Sequence, residues 1–161
     1  AIKSSDGQWW MMDSDGRVVE QANNAKAATA TQVLGVTLEA PTVNEKGVAT
    51  EMTPSETNEL GELIPVTTTG AQRLTAALQI LKALENNDIV GEAASVDVTS
   101  TEDIILWYGT RYQVNLGDTS RLDYKVDCMN DAILQMSDYQ SGVLDISFTI
   151  WPNQVGYTPF A

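Results

Sequence analysis

Residues 104–151 read IILWYGTRYQVNLGDTSRLDYKVDCMNDAILQMSDYQSGVLDISFTIW. A strand pair, a helix-start signal, an amphipathic helix and a final alternating strand follow one another there with almost no spare residues. Residues 104–108 are nearly all apolar, which is the pattern of a strand covered on both sides and therefore central in a sheet. Gly109-Thr110 supplies the reversal. Tyr112, Val114 and Leu116 then alternate with Arg111, Gln113 and Asn115, the period of two that puts one set of side chains inward. Upstream, residues 94–99 alternate in the same way, with Ala94, Val96 and Val98 on one face and Ser95, Asp97 and Thr99 on the other. Three such runs joined by short turns predict an antiparallel meander.

Gly117-Asp118-Thr119-Ser120 marks a helix start, because a side-chain oxygen of Asp118 or Thr119 can accept the free amides of a first turn. Leu122, Val126, Met129, Ile133 and Met136 follow at steps of four and three, so this helix is expected to lie on the sheet. Asp123, Asp127, Asn130 and Asp131 fall mostly toward water. Ser141-Gly142 breaks the helix. Residues 143–150 alternate again, with Leu144, Ile146, Phe148 and Ile150 facing one way. If this strand joins the one at 112–116, the intervening helix makes a right-handed crossover and the two strands run parallel. The tail from 151 to 160 is aromatic and contains Pro152 and Pro159, so it cannot continue as a regular central strand.

The first half is organised more loosely. Residues 8–13 and 17–21 read as strands around the turn Asp13-Ser14-Asp15-Gly16. A calcium loop starting there would need an oxygen ligand at Arg17, glycine at Val18 and glutamate at Asn24, and all three fail. Residues 22–31 read as a short helix or a loop, with a loop containing a helical turn preferred, and 33–36 as a short buried strand or an edge piece. From 39 to 70 the chain turns to Thr, Glu, Pro and Gly, with six glutamates against Lys46. That stretch is expected to be mostly loop with a solvated acidic surface. A helix is predicted from about Gly70 to Asn86, with Ala71, Leu74, Leu78, Leu81 and Leu84 forming its apolar face. Asn86-Asn87-Asp88 should end it.

Composition narrows the chemistry. Twenty-two acidic residues against nine basic ones give a formal charge of −13, which disfavours nucleic acids and anionic lipid surfaces as partners. There is no histidine, so the commonest general base and the commonest transition-metal ligand are both missing. Cys128 is the lone cysteine, so no disulfide forms within the chain. It lies off the helix stripe, has no histidine to activate it, and reads as a small, partly buried residue. No run approaches the ~18 apolar residues of a membrane span. Phosphate-binding glycine loops and nucleophile elbows are absent as motifs. Asp97 with Glu102 or Asp103 would supply the carboxylate pair of a hydrolase only if two of them faced each other across a cleft.

Several segments, in order, resemble the extracytoplasmic part of the bacterial division proteins FtsQ/DivIB. Trp9-Trp10-Met11-Met12-Asp13-Ser14-Asp15-Gly16-Arg17-Val18-Val19-Glu20 is similar to the family segment where a POTRA domain hands over to the β domain. Val33-Leu34-Gly35-Val36 matches its Gly-Leu element, and a helix leading to Val96-Asp97-Val98 follows. Tyr112-Gln113-Val114-Asn115-Leu116-Gly117-Asp118, Leu122-Asp123-Tyr124-Lys125-Val126 and Gly142-Val143-Leu144-Asp145-Ile146-Ser147 complete the set.

The resemblance implies a single β domain over 1–161, with 1–7 the end of a truncated upstream POTRA domain or linker, and 151–161 a C-terminal tail. The fold expected is α+β: a curved, largely antiparallel mixed sheet with two main helices packed on it. It further implies a non-enzymatic scaffold at the division septum, on the outer face of the membrane, without cofactor or metal. The implied partners are FtsB/DivIC-like and FtsL-like bitopic division proteins, bound by strand addition at the C-terminal edge. The residues carried over for that contact are Ser147, Phe148, Thr149, Ile150, Trp151, Pro152 and Tyr157. Another secreted or wall-associated binding domain, or a carboxylate-based hydrolase, are the alternatives weighed.

Overall fold

The computed structural model describes residues 1–50, 56–57, 63–64, 70–136, 140–147 and 155–160. In chain order these form β1 (Ile2–Ser4), β2 (Trp9–Met12), β3 (Val18–Ala22), α1 (Asn24–Ala28), β4 (Gln32–Leu34), β5 (Thr37–Leu38), β6 (Glu56–Thr57) and β7 (Leu63–Ile64). Then come α2 (Gly70–Asn86), a 3-10 turn, β8 (Ala93–Asp97), β9 (Ile104–Tyr108), β10 (Tyr112–Gly117), α3 (Leu122–Leu134), β11 (Gly142–Asp145) and β12 (Gly156–Pro159).

The fold is α+β, as expected, but the strands divide into two mixed sheets where one was expected. The larger has the order β12-β11-β10-β9-β8-β4, the smaller β3-β2-β1-β5, and β6 and β7 pair as a separate hairpin. The meander β8-β9-β10 is antiparallel throughout, and β11 returns parallel to β10 across α3. Residues 1–7, expected as the end of a preceding segment, contain β1, which lies between β2 and β5 with Ile2 in the core.

Strict alternation fills one face of the larger sheet. Val96, Ile104, Leu106, Tyr112, Val114, Leu116, Leu144 and Ile146 have no exposed surface, and Val126 and Met129 of α3 and Ala77, Ile80 and Leu84 of α2 join the same core. Each such aliphatic side chain contributes roughly 1.5–3 kcal/mol through burial, against the entropy of ordering it. The turn at residues 13–16 forms as predicted. The Asp13 carboxylate accepts the amides of Asp15 and Arg17 at 3.1 and 2.9 Å, so the cluster is occupied in holding a hairpin.

Helix α2 ends where the Asn-Asn-Asp signal placed it. Asp88 takes a left-handed conformation, its amide bonds to the Glu85 carbonyl, and the Ile89 amide bonds to that of Leu84. This is a Schellman cap, closed by the buried pair Leu84 and Ile89. Its buried face differs from the predicted stripe. Ala71 is exposed and Leu78 and Leu81 are half-buried, whereas Ala76, Ala77, Ile80 and Ala83 are buried with Leu74 and Leu84. Small alanines let that side approach the core closely, and Leu78 is left against Gly16 of the hairpin.

Three further local expectations are corrected. A register shift between Ala93 and Ser95 turns Ala93 inward and leaves Ala94 exposed, so the alternation begins with a bulge. Helix α3 starts at Leu122 behind a left-handed Arg121, and neither Asp118 nor Thr119 caps it; Asp118 accepts from Ser120 instead. The last predicted strand, 143–150, is shorter. Pairing ends at Asp145, whose carboxylate accepts the Ser147 amide and hydroxyl and so turns the chain, although Ile146 still bonds to Asn115. Residues 148–150 lie outside the described residues.

Candidate protein-binding edge

The two larger sheets have four edge strands, β3, β5, β4 and β12. An unpaired edge offers a row of backbone donors and acceptors to any passing strand, so natural sheets cover most of theirs. The start of β3 is covered by the loop at 44–46: Val18 donates to the Glu45 carbonyl, and Asn44 donates to that of Val18. Strand β5 is covered by 48–50, through Glu39 to Val48 and Thr50 to Thr37. On β4 the Val33 amide donates to the Ala1 carbonyl at 2.9 Å. Among the described residues, the outer side of β12 has no such contact.

The pairing of β11 fixes which groups that side presents. Gly142 donates to Arg111 and Ile146 to Asn115, so the even-numbered residues of β11 bond toward β10. The odd-numbered ones therefore bond toward β12, with Val143 opposite Thr158 and Asp145 opposite Gly156. Phe160 donating to Ser141 continues the series. By the alternation of an antiparallel ladder, Gly156, Thr158 and Phe160 face inward, and Tyr157 and Pro159 direct their backbone groups outward. Tyr157 offers both an N–H and a C=O. Pro159 offers a carbonyl and has no N–H.

Side chains anchor this edge from behind. The Tyr157 ring packs on the core, and its hydroxyl donates to the Ser141 carbonyl at 2.9 Å. Phe160 stacks on Trp107 with ring centres 6.2 Å apart. Between α3 and β12 lies an open cleft of about 460 Å³ lined by Cys128, Ala132, Met136, Leu144, Val155 and Tyr157. Cys128 is half-buried there, as its place off the helix stripe suggested.

Of the residues carried over for partner binding, Tyr157 sits in the open edge strand. Ser147 is half-buried just past β11, bonded to Asp145 and pressed against Gly117. Phe148, Thr149, Ile150, Trp151 and Pro152 lie outside the described residues. The outer side of β11 is taken by β12 over Gly142–Asp145, so the open edge is one strand further along than the run at 143–150 suggested. Sequence reasoning missed Gly156, Thr158 and Pro159 as strand residues. The available signal was the alternation of Val155, Tyr157 and Pro159 with Gly156 and Thr158, shortened by the proline.

The carboxylates named as a possible hydrolytic pair are differently employed. Asp97 accepts the Thr99 amide at 2.9 Å and closes a turn. Glu102 borders a groove beside α2, whereas Asp103 borders a different pocket, on the opposite side of the β9–β10 pair, with Gln113 and Asn115. Asp97 lines neither. Among the described residues no group of three or more Cys, Asp or Glu is placed to hold a metal, and no helix is long and apolar enough to cross a membrane. No protein-family model, curated protein or solved structure matches the chain.

Proposed function

We propose that this chain is a non-enzymatic scaffold that receives an extended segment of an FtsB/DivIC-like or FtsL-like division protein along β12. On this reading it works at the outer face of the bacterial membrane, at the septum, and helps regulate septal wall synthesis. One observation carries the binding mode: β12 is the edge strand of the two larger sheets on which no described backbone makes an outward hydrogen bond, whereas β3 is covered at Val18, β4 at Val33 and β5 along its length. Strand addition draws its affinity from main-chain hydrogen bonds, and it asks for an anchored, unpaired edge rather than for special side chains. The ordered motifs described above, from Trp9 to Ser147, support the choice of partner.

The test is calorimetric titration with the soluble extracytoplasmic segment of the DivIC-like protein. Tyr157→Pro removes an outward N–H and leaves the inward bonds of Gly156 and Thr158 in place. Tyr157→Ala removes the ring and keeps the N–H. The proline variant is expected to bind about five- to tenfold more weakly than the alanine variant, the worth of about one net hydrogen bond. Equal binding by the two folded variants would rule out the edge, and no binding by the unmodified chain would rule out the partner.

A further inference from the structure

Pro159 ends the open edge with its nitrogen outward, in register opposite Gly142. That pair is closely fitted. A Cβ on Gly142 would lie 2.8 Å from the Pro159 Cα and 2.3 Å from the Thr158 carbonyl oxygen, so glycine is what lets the proline-bearing strand approach. The proline therefore costs the inward ladder nothing and changes only what an incoming strand meets.

We propose that Pro159 sets the specificity of this edge, by disfavouring a second copy of the same chain and leaving it to a short segment of a different one. The heterologous half of this inference rests on the strand-addition reading above; the homologous half does not. Two copies pairing edge to edge would be related by a two-fold axis, which makes each contact occur twice. With the axis at Tyr157, each Pro159 stands opposite residue 155 of the other copy, and both of those carbonyls lose their donor. With the axis at Thr158, each Pro159 stands opposite Tyr157 of the other copy, and again two donors are missing. A heterologous strand meets the proline once, at the end of its ladder, where water can satisfy the carbonyl left over. The symmetric complex bears twice the deficit of the asymmetric one.

Restoring the N–H should reverse the preference. Pro159 is exposed, so Pro159→Thr and Pro159→Ala both leave the core intact. Sedimentation equilibrium in about 0.3 M salt, which screens the repulsion between two chains of charge −13, reads self-association directly. Both variants are expected to self-associate about 30-fold more tightly than the unmodified chain, the worth of two net hydrogen bonds. Their affinity for the DivIC-like segment should rise by only about fivefold, the worth of one. Variants that fold and sediment like the unmodified chain, or an unmodified chain that self-associates as tightly as they do, would overturn the proposal. Failure of the DivIC-like segment to bind any form refutes the choice of partner and leaves the sedimentation comparison to decide the role of Pro159.

Discussion

Lys125 is buried in the first turn of α3, 1% exposed, and its ammonium reaches back to Asp118, 3.1 Å from the main-chain oxygen and 3.2 Å from Oδ1. The same carboxylate oxygen accepts the amide and hydroxyl of Ser120. This hub replaces the side-chain cap that α3 lacks, because the loop from β10 is tied to the helix by a side chain within it. It also fixes Gly117, whose φ of +72° and contact with Ser147 leave no room for a side chain. The end of β10, the start of α3 and the end of β11 are thereby held together.

The two partners of that contact are unequal. Asp118 is 59% exposed, so its carboxylate stays hydrated if the ammonium goes. Lys125→Met keeps most of the buried volume and should cost no more than about 1.5 kcal/mol. Asp118→Ala leaves a buried ammonium with the carbonyl as its remaining described partner and frees Ser120, and should cost about 2–3 kcal/mol. Urea denaturation of the two variants gives the ranking; an Asp118→Ala midpoint at or above that of Lys125→Met would refute it.

Acid should weaken the fold through the same residue. Hydrogen bonds from the Ser120 hydroxyl and amide hold the Asp118 carboxyl below its ordinary value of 3.8, with Lys125 adding to the effect against partial desolvation. Asp6 is lowered in the same direction, chiefly by the Ser4 hydroxyl and the Gln8 amide. A carboxyl depressed in the folded state contributes its full stability above the unfolded value. That contribution fades as pH falls through the lower folded value. The contribution of these two carboxyls to the denaturation midpoint should therefore be constant above about pH 5 and fall below pH 4. The fall should be shallower in Asp118→Asn; an identical slope would exclude the assignment.

Helix α2 offers a direct test of which face is buried. Ile80 has no exposed surface, whereas Leu78 is half-buried beside Gly16. Ile80→Ala should cost about 3–4 kcal/mol and Leu78→Ala about 1–2 kcal/mol, because the cavity term applies fully only where the surroundings cannot relax or hydrate. Comparable losses would mean that the helix is rotated toward its leucine stripe.

Much of the larger sheet was legible because alternation is a local property. Tyr112, Val114 and Leu116 fall on one face whatever lies above them, and 104–108 reads as central because neither of its faces is polar. The α2 stripe misled because that helix carries more apolar residues than one face can hold. Alanines at 76, 77 and 83 pack closer than leucines at 78 and 81, and only the opposing surface shows which spacing is used. The bulge at Ala93 and the turn at Asp145 shifted or ended strands by one or a few residues, as single hydrogen bonds do.

The sequence by itself determined the run of helices and strands, the meander and the end of α2, and it tied the parallel return of β11 to one condition, that β11 join β10. Each of these follows from periodicity, from the steric demands of turns, or from a cap within a few residues. The tertiary structure decided which edge the described residues leave open. Whether a strand is covered depends on segments distant in sequence: residues 44–46 at the start of β3, 48–50 on β5, Ala1 on β4, and Gly156–Pro159 along β11. Backbone groups are the same in every residue, so no side-chain pattern records which of them remain unpaired. That relation exists only once the chain has closed on itself.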